Sequence, residues 1–229
     1  LIGELYHGYM WRLNQRFPNA ADSITQAIEL LAWKDESDEA RRLKQAVMAV
    51  AHGVELLLKE RLRKVHPVLI WENVDKFPIL SARTVTVDIA LSRLSKIGGL
   101  EFLEGDADLI KSLRDTRNAI EHYSWSTTKS EADRIVGQAL GFALHFAKDE
   151  LNYDFFGYDT RKDDTFDLLL ESNPEFAKSF RERYEKRADA IGEPNYLCEY
   201  CHALAVNPST GACKLCGHWN DVTDNDLPF

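Results

Sequence analysis

Residues 106–122 read DADLIKSLRDTRNAIEH, and the spacing of their apolar and polar side chains governs how the rest of the chain is read. At roughly 100° per residue, Leu109, Leu113, Thr116 and Ile120 share one face of a helix expected to run from Asp106 to about Trp125. Arg114, Asn118 and His122 form a separate polar stripe at i, i+4 and i+8. The last six residues, Arg117-Asn118-Ala119-Ile120-Glu121-His122, bring an arginine, an amide, a carboxylate and an imidazole into one short segment. Histidine takes or gives a proton near neutral pH, and arginine offers a planar fork that holds a phosphate. Together they can cleave RNA without a metal. The plain alternative is a solvated ion pair between Arg117 and Glu121, four residues apart, worth about 0.3 kcal/mol. Arg117 lies at the edge of the apolar face, roughly 140° around the helix from His122. The two can therefore converge on one substrate only if something packs over the helix, as a second copy of it would.

Helical periodicity extends outward from this segment. Upstream, helices are expected over Glu4–Arg16, stopping before Pro18, over Asp22–Lys34 with Asp22 as N-cap, and over Asp38–Val65, ended by Pro67. Residues 67–83 alternate apolar anchors with turn formers and read as an ordered connector. A helix from Thr86 to about Ile97 then ends at Gly98-Gly99. Downstream, Ser130–Asn152 stacks Ile135, Leu140, Leu144 and Phe146 inward. Its Gly137 and Gly141 either permit close helix approach or are merely tolerated. Residues 154–164 form a boundary, followed by helices over Thr165–Glu171 and Pro174–Ala190, the latter with Asn173 as N-cap. The fold class is all-α: a helical bundle, then extra helices, then a small cysteine-bearing module after a hinge at 192–194.

The chain has 229 residues, 45% hydrophobic and 28% charged, with a formal net charge of -9. It can bury a substantial core. No apolar run reaches the ~18–20 residues that span a bilayer, no signal-peptide core is visible, and the cytoplasm is the expected compartment. The negative charge opposes non-specific nucleic-acid binding, which rests on Lys and Arg displacing counterions. An RNA reader would need a local basic patch, for which Lys59, Arg61, Arg63 and Lys64, or Arg181, Arg183, Lys186 and Arg187, are candidates; solvated faces are the alternative.

All four cysteines, Cys198, Cys201, Cys213 and Cys216, fall in one segment as C-x2-C-x11-C-x2-C. Each C-x2-C pair lets two thiolates reach one tetrahedral ion, and the loop between is long enough to return as a hairpin. Gly211 suits that turn and Gly217 frees the backbone after Cys216. A structural Zn2+ is expected, with disulfides as the alternative. His202 and His218 adjoin cysteines but are not needed as ligands.

An all-helical domain carrying Arg-Asn-x3-His near the end of its fourth or fifth helix resembles the HEPN superfamily (higher eukaryotes and prokaryotes nucleotide-binding). The long helix with Val-Glu-Leu-Leu-Leu-Lys-Glu-Arg-Leu at 54–62 and the proline-bounded connector also resemble it. The likeness covers roughly residues 20–153. It implies a HEPN-like up-and-down bundle over 1–153, a helical extension and linker over 154–194, and a zinc ribbon over 195–229. It implies a metal-independent endoribonuclease of the toxin or antiviral-defence type, acting as a homodimer through the Arg117/His122 helix. In such a site His122 moves the proton, Arg117 stabilises the phosphorane, Asn118 orients one of them and Glu121 tethers Arg117. The products would carry 2',3'-cyclic phosphate and 5'-OH ends. Toxins of this family that are silenced by nucleotidyltransferase antitoxins often have a tyrosine two places after the histidine. Ser124 stands there instead, with Tyr123 beside His122, so tyrosine modification is not implied.

The ribbon is acidic, with Glu199, Asp221, Asp224 and Asp226 against Lys214, and repels phosphate. A structural role or contact with an antitoxin or defence-system protein suits it better, with Tyr200 and Trp219 as contact aromatics unless they fill its core. The alternative function is a non-catalytic HEPN binding or sensor subunit whose ribbon docks on a partner.

Overall fold

The computed structural model describes residues 16–33, 38–122, 128–155, 164–191 and 196–222. Among them the chain is mostly helical, with seven α-helices and one two-stranded hairpin. Helices α1 (Arg16–Ala32) and α2 (Glu39–Val65) pack along each other, joined through Ile24, Ile28, Val47, Val50, Val54 and Leu57, all buried. Helices α3 (Val87–Lys96) and α4 (Asp106–His122) lie against α2 and against each other.

Helix α5 (Lys129–Leu151) is the centre of the molecule. Val136, Leu140, Phe142, Leu144 and Phe146 are buried on different sides of it, and a helix with no continuous polar face must be enclosed. It contacts α1, α2, α4 and α7 (Pro174–Ile191), while α6 (Thr165–Ser172) packs on α1 and α7. The segment after the boundary thus adds Phe166, Leu169, Phe176 and Phe180 to the same core. Of the two readings of Gly137 and Gly141, close approach is the one observed: a Cβ on Gly137 would lie 2.7 Å from the Phe176 amide nitrogen.

The expected break before Pro18 does not occur, and Asp22 is not an N-cap. Helix α1 already begins at Arg16, placing Pro18 in its first turn, where amides have no helical partner and the missing N–H costs little. The helix expected over Glu4–Arg16 lies outside the described residues except for Arg16. So does the expected continuation of α4 to Trp125, since 123–127 are not described.

Other ends follow side-chain chemistry. Thr86, Thr128 and Asn173 accept from the backbone amides of Ile89, Glu131 and Phe176 and so cap α3, α5 and α7. The connector after α2 is ordered around Trp71, which is buried and donates its indole N–H to the Ile79 carbonyl. Arg93 of α3 donates to the carbonyls of Leu69, Trp71 and Glu72, locking the connector to the bundle.

The C-terminal hairpin pairs β1 (Tyr196–Leu197) with β2 (Leu204–Val206) antiparallel, and single bridges join Val206 to Cys213 and Ala212 to Trp219. Among the described residues, no helix is long and apolar enough to cross a membrane.

Candidate functional site

Helix α4 turns Ile110, Leu113 and Thr116 into the core and leaves Leu109 and Ile120 half-buried. Burial is centred on Ile110, one residue from the expected Leu109. Arg117, one helical turn beyond Leu113, consequently sits on the seam between core and solvent, with its side chain 39% exposed. Thr116 is tolerated inside because its hydroxyl donates to the Ser112 carbonyl at 2.8 Å.

At the end of α4, Arg117 contacts both Asn118 and Glu121, and His122 lies beside the same carboxylate. Arg117 Nη2 lies 3.1 Å from Glu121 Oε1, and Arg117 Nη1 donates to Asn118 Oδ1 at 3.4 Å. The other carboxylate oxygen, Glu121 Oε2, is 4.0 Å from His122 Nε2, and the His122 side chain is 68% exposed. Within one chain the guanidinium and the imidazole therefore lie on either side of the Glu121 carboxylate, not stacked on a common substrate position. The imidazole is free to reach outward.

Arg114, the first member of the polar stripe, has a different fate. It pairs with Asp115 and with Asp88 of α3, and the Asp115 hydrogen bond, with the two carboxylate charges, raises its pKa further. It clamps α4 to α3.

Most described members of the two basic clusters expected from sequence are engaged within the fold. Lys59 is buried against Glu55 and Thr84, Arg61 pairs with Glu150 at 3.0 Å, Arg63 with Glu60, and Lys64 donates to the Leu151 carbonyl. In the second cluster Arg183 makes a two-pronged bond to Asp106, at 2.6 and 2.8 Å, and Arg181 donates to the Cys201 carbonyl. Lys186 is exposed, and the Arg187 side chain lies outside the described residues. Lys59, Arg61, Arg63, Lys64, Arg181 and Arg183 thus hold the fold together.

The Asp106–Arg183 pair escaped the sequence because its members stand 77 positions apart. Asp106 is 4% exposed at the first turn of α4, where helix amides also favour a carboxylate. It accepts from the Leu103 amide as well. The Arg183 guanidinium lies over the Phe142 ring, 5.1 Å from its centre.

The cysteines form the second site. Cys198, Cys201, Cys213 and Cys216 are all buried, with their sulfurs within 4.8 Å of one another, in an arrangement that could hold a metal ion. Cys198 and Cys216 sulfurs are 3.7 Å apart, as are those of Cys201 and Cys213, and none of the four is disulfide-bonded. Hydrogen bonds from Cys201 and Cys216 pull the Cys213 thiol down to about 2, while sharing with Cys213 pushes Cys201 far up. Cys216 is likewise pushed up, so of the three shifted thiols one, Cys213, favours the charged form.

The two knuckles are built alike. Cys198 accepts at its carbonyl from His202, and Cys213 from Gly217. Asn220 stitches them together: its side-chain oxygen accepts from Glu199 N and its amide donates to Gly211 and His218 carbonyls. Gly211, at φ 68°, is required there, because a Cβ would fall 2.6 Å from the Asn220 carbonyl. Trp219 does not complete a ribbon core; it is 65% exposed, with Leu197 and Leu204, register partners across the hairpin, also exposed.

Comparison with protein-family models, curated proteins and solved structures finds no match. What the chain can do rests on its own two sites.

Proposed function

We propose that the chain is a HEPN-type endoribonuclease that works without a catalytic metal and acts in the cytoplasm as a toxin or antiviral effector. The observation that carries this reading is the gathering of Arg117, Asn118, Glu121 and His122 at an accessible helix end of an all-helical bundle. His122 takes the proton of the ribose 2'-OH or protonates the 5'-oxygen leaving group, and Arg117 neutralises the phosphorane. Asn118 and Glu121 hold the guanidinium until substrate phosphate replaces the carboxylate. The roughly 140° between Arg117 and His122 around α4 supports a homodimer in which a second α4 closes the cleft.

The four cysteines suit a structural Zn2+. Zinc–sulfur bonds of about 2.3 Å in a tetrahedron require sulfurs about 3.8 Å apart, close to the 3.7 Å separations present. Bound zinc would neutralise the thiolates and hold the two knuckles as a ribbon. Thiols of this kind persist where the surroundings are reducing, which supports the cytoplasmic assignment.

A second reading, a non-catalytic HEPN subunit that recruits a protein through the ribbon, draws support from the exposed Trp219, Leu197 and Leu204. The test is an RNA-cleavage assay with purified wild-type, Arg117→Ala and His122→Ala chains. Cleavage by wild type and at least 100-fold less by each variant supports the ribonuclease. Equal rates in all three overturn it, and absence of cleavage by wild type favours the binding subunit.

A further inference from the structure

The cysteine hairpin and the Arg/His helix are distant in sequence, yet α7 touches both through different faces. On one face, Arg181 Nη1 donates to the Cys201 carbonyl at 3.2 Å and, four residues on, Glu185 Oε1 accepts from the Leu204 amide at 3.3 Å. Both partners lie in the first knuckle or the strand that leaves it. Arg183, roughly 200° around the helix from Arg181, projects from the opposite side and grips Asp106 in the first turn of α4 with two bonds.

The second knuckle is anchored elsewhere. Lys148, on α5, donates to the Lys214 carbonyl at 3.1 Å. Among the described residues the side-chain bonds from α7 to the hairpin fall on the first knuckle and β2, and the second knuckle is tied to these through Asn220.

Helix α4 is a lever of known length. From Asp106 to His122 it rises about 24 Å, so a tilt of about 5° at the first turn moves the imidazole by about 2 Å. A displacement of that size is enough to misplace a catalytic group. The fork geometry of Arg183 resists such a tilt, since both carboxylate oxygens are held in one plane.

We infer that Arg183 is a positioning residue through which the zinc-held first knuckle, by way of Arg181 and Glu185 on α7, fixes the tilt of α4 and hence the placement of Arg117 and His122. Loss of zinc by chelation releases α7 on one face and loosens the grip on Asp106 on the other. The inference rests on the zinc reading and on α4 being the reactive helix. The movement itself does not depend on what α4 does.

Hydrogen exchange followed by mass spectrometry tests it, with zinc-loaded wild type, the same protein after chelation, and zinc-loaded Arg181→Ala/Glu185→Ala, Arg183→Lys and Lys148→Ala chains. The expected result is at least threefold faster exchange at the Leu109–Leu113 amides after chelation and in the Arg181→Ala/Glu185→Ala chain, with α3 unchanged. Arg183→Lys keeps the buried charge but loses the fork, and gives an intermediate rate. Lys148→Ala removes the second knuckle's bond to α5, which lies outside the α7 path, and leaves α4 as it was. Fast exchange confined to the cysteine hairpin, or an equal rise in every helix, overturns the inference. If α4 responds while no RNA is cut, the coupling stands and the ribonuclease reading falls. If RNA is cut through Arg117 and His122 at a rate indifferent to zinc and to Arg183→Lys, the coupling falls and the ribonuclease stands.

Discussion

Replacing Gly137 by alanine should destabilise the bundle, whereas the same change four residues later should not. A Cβ on Gly137 would stand 2.7 Å from the Phe176 amide nitrogen, 2.7 Å from Asn173 Oδ1 and 3.2 Å from the Glu175 carbonyl carbon. Asn173 Oδ1 cannot simply turn away, because it caps α7 by accepting from Phe176 N at 2.9 Å. Relief requires the N-terminal turn of α7 to retreat by about 0.7 Å, at a cost of about 1–3 kcal/mol for overpacking. Straining the cap adds about 1 kcal/mol, and alanine's better helix propensity returns about 1 kcal/mol. The net loss is about 1–3 kcal/mol. At Gly141 the close neighbour is the Ser179 hydroxyl at 2.9 Å, a side chain that can rotate, and the nearest backbone atom is 3.5 Å away. There the propensity gain decides the sign, and Gly141→Ala should be neutral or stabilise by up to about 1 kcal/mol. Urea unfolding of the zinc-loaded chains measures both. Gly137→Ala as stable as wild type, or equal shifts in the two variants, would refute the packing of α5 on α7.

Arg183→Ala leaves the Asp106 carboxylate buried without its counter-charge, and urea unfolding should show a loss of about 3 kcal/mol; a loss below about 1 kcal/mol would mean the pair is not formed. Asp167, at the first turn of α6, has its pKa raised by burial and then by the charges of Asp164 and Glu171. An acid with a raised folded pKa binds its proton more tightly when folded, so stability rises as pH falls through that pKa. Asp167→Asn should therefore raise the melting temperature at pH 7 and cease to do so in the acidic carboxylate range; an equal shift at both pH values would contradict this. Metal analysis should find one zinc ion per chain, lost in Cys213→Ser, and chelation should lower the melting temperature. A full complement of zinc in Cys213→Ser would remove that residue from the ligand set.

Local signals carried much of the fold. The apolar spacing in 38–65 and 130–152, Pro67 after α2, and Asn173 before Pro174 mark α2, α5 and α7 within a residue or two, because caps and periodicity act over a few residues. Pro18 misled, since a proline in a first turn and one after a helix end look alike when the first helical residue is unknown. The cysteine spacing was enough to bring four sulfurs together. What sequence could not show is how cations are spent. Arg61 meets Glu150 from 89 positions away and Arg183 meets Asp106 from 77, so these cations, which read as parts of phosphate patches, are internal clamps. The place of Glu121 between Arg117 and His122 was half visible: the i, i+4 spacing gives its bond to Arg117, but its nearness to His122 depends on rotamers.

The most direct test is the chemistry of the ends left on a cut RNA. Zinc-loaded protein transferred into buffer containing EDTA, incubated with single-stranded or transfer RNA, should leave 2',3'-cyclic phosphate on one fragment and 5'-OH on the other, with both lost in His122→Ala. Fragments bearing 5'-phosphate and 3'-OH, or cleavage that stops when free divalent metal is removed while zinc stays bound, would contradict an Arg117/His122 site.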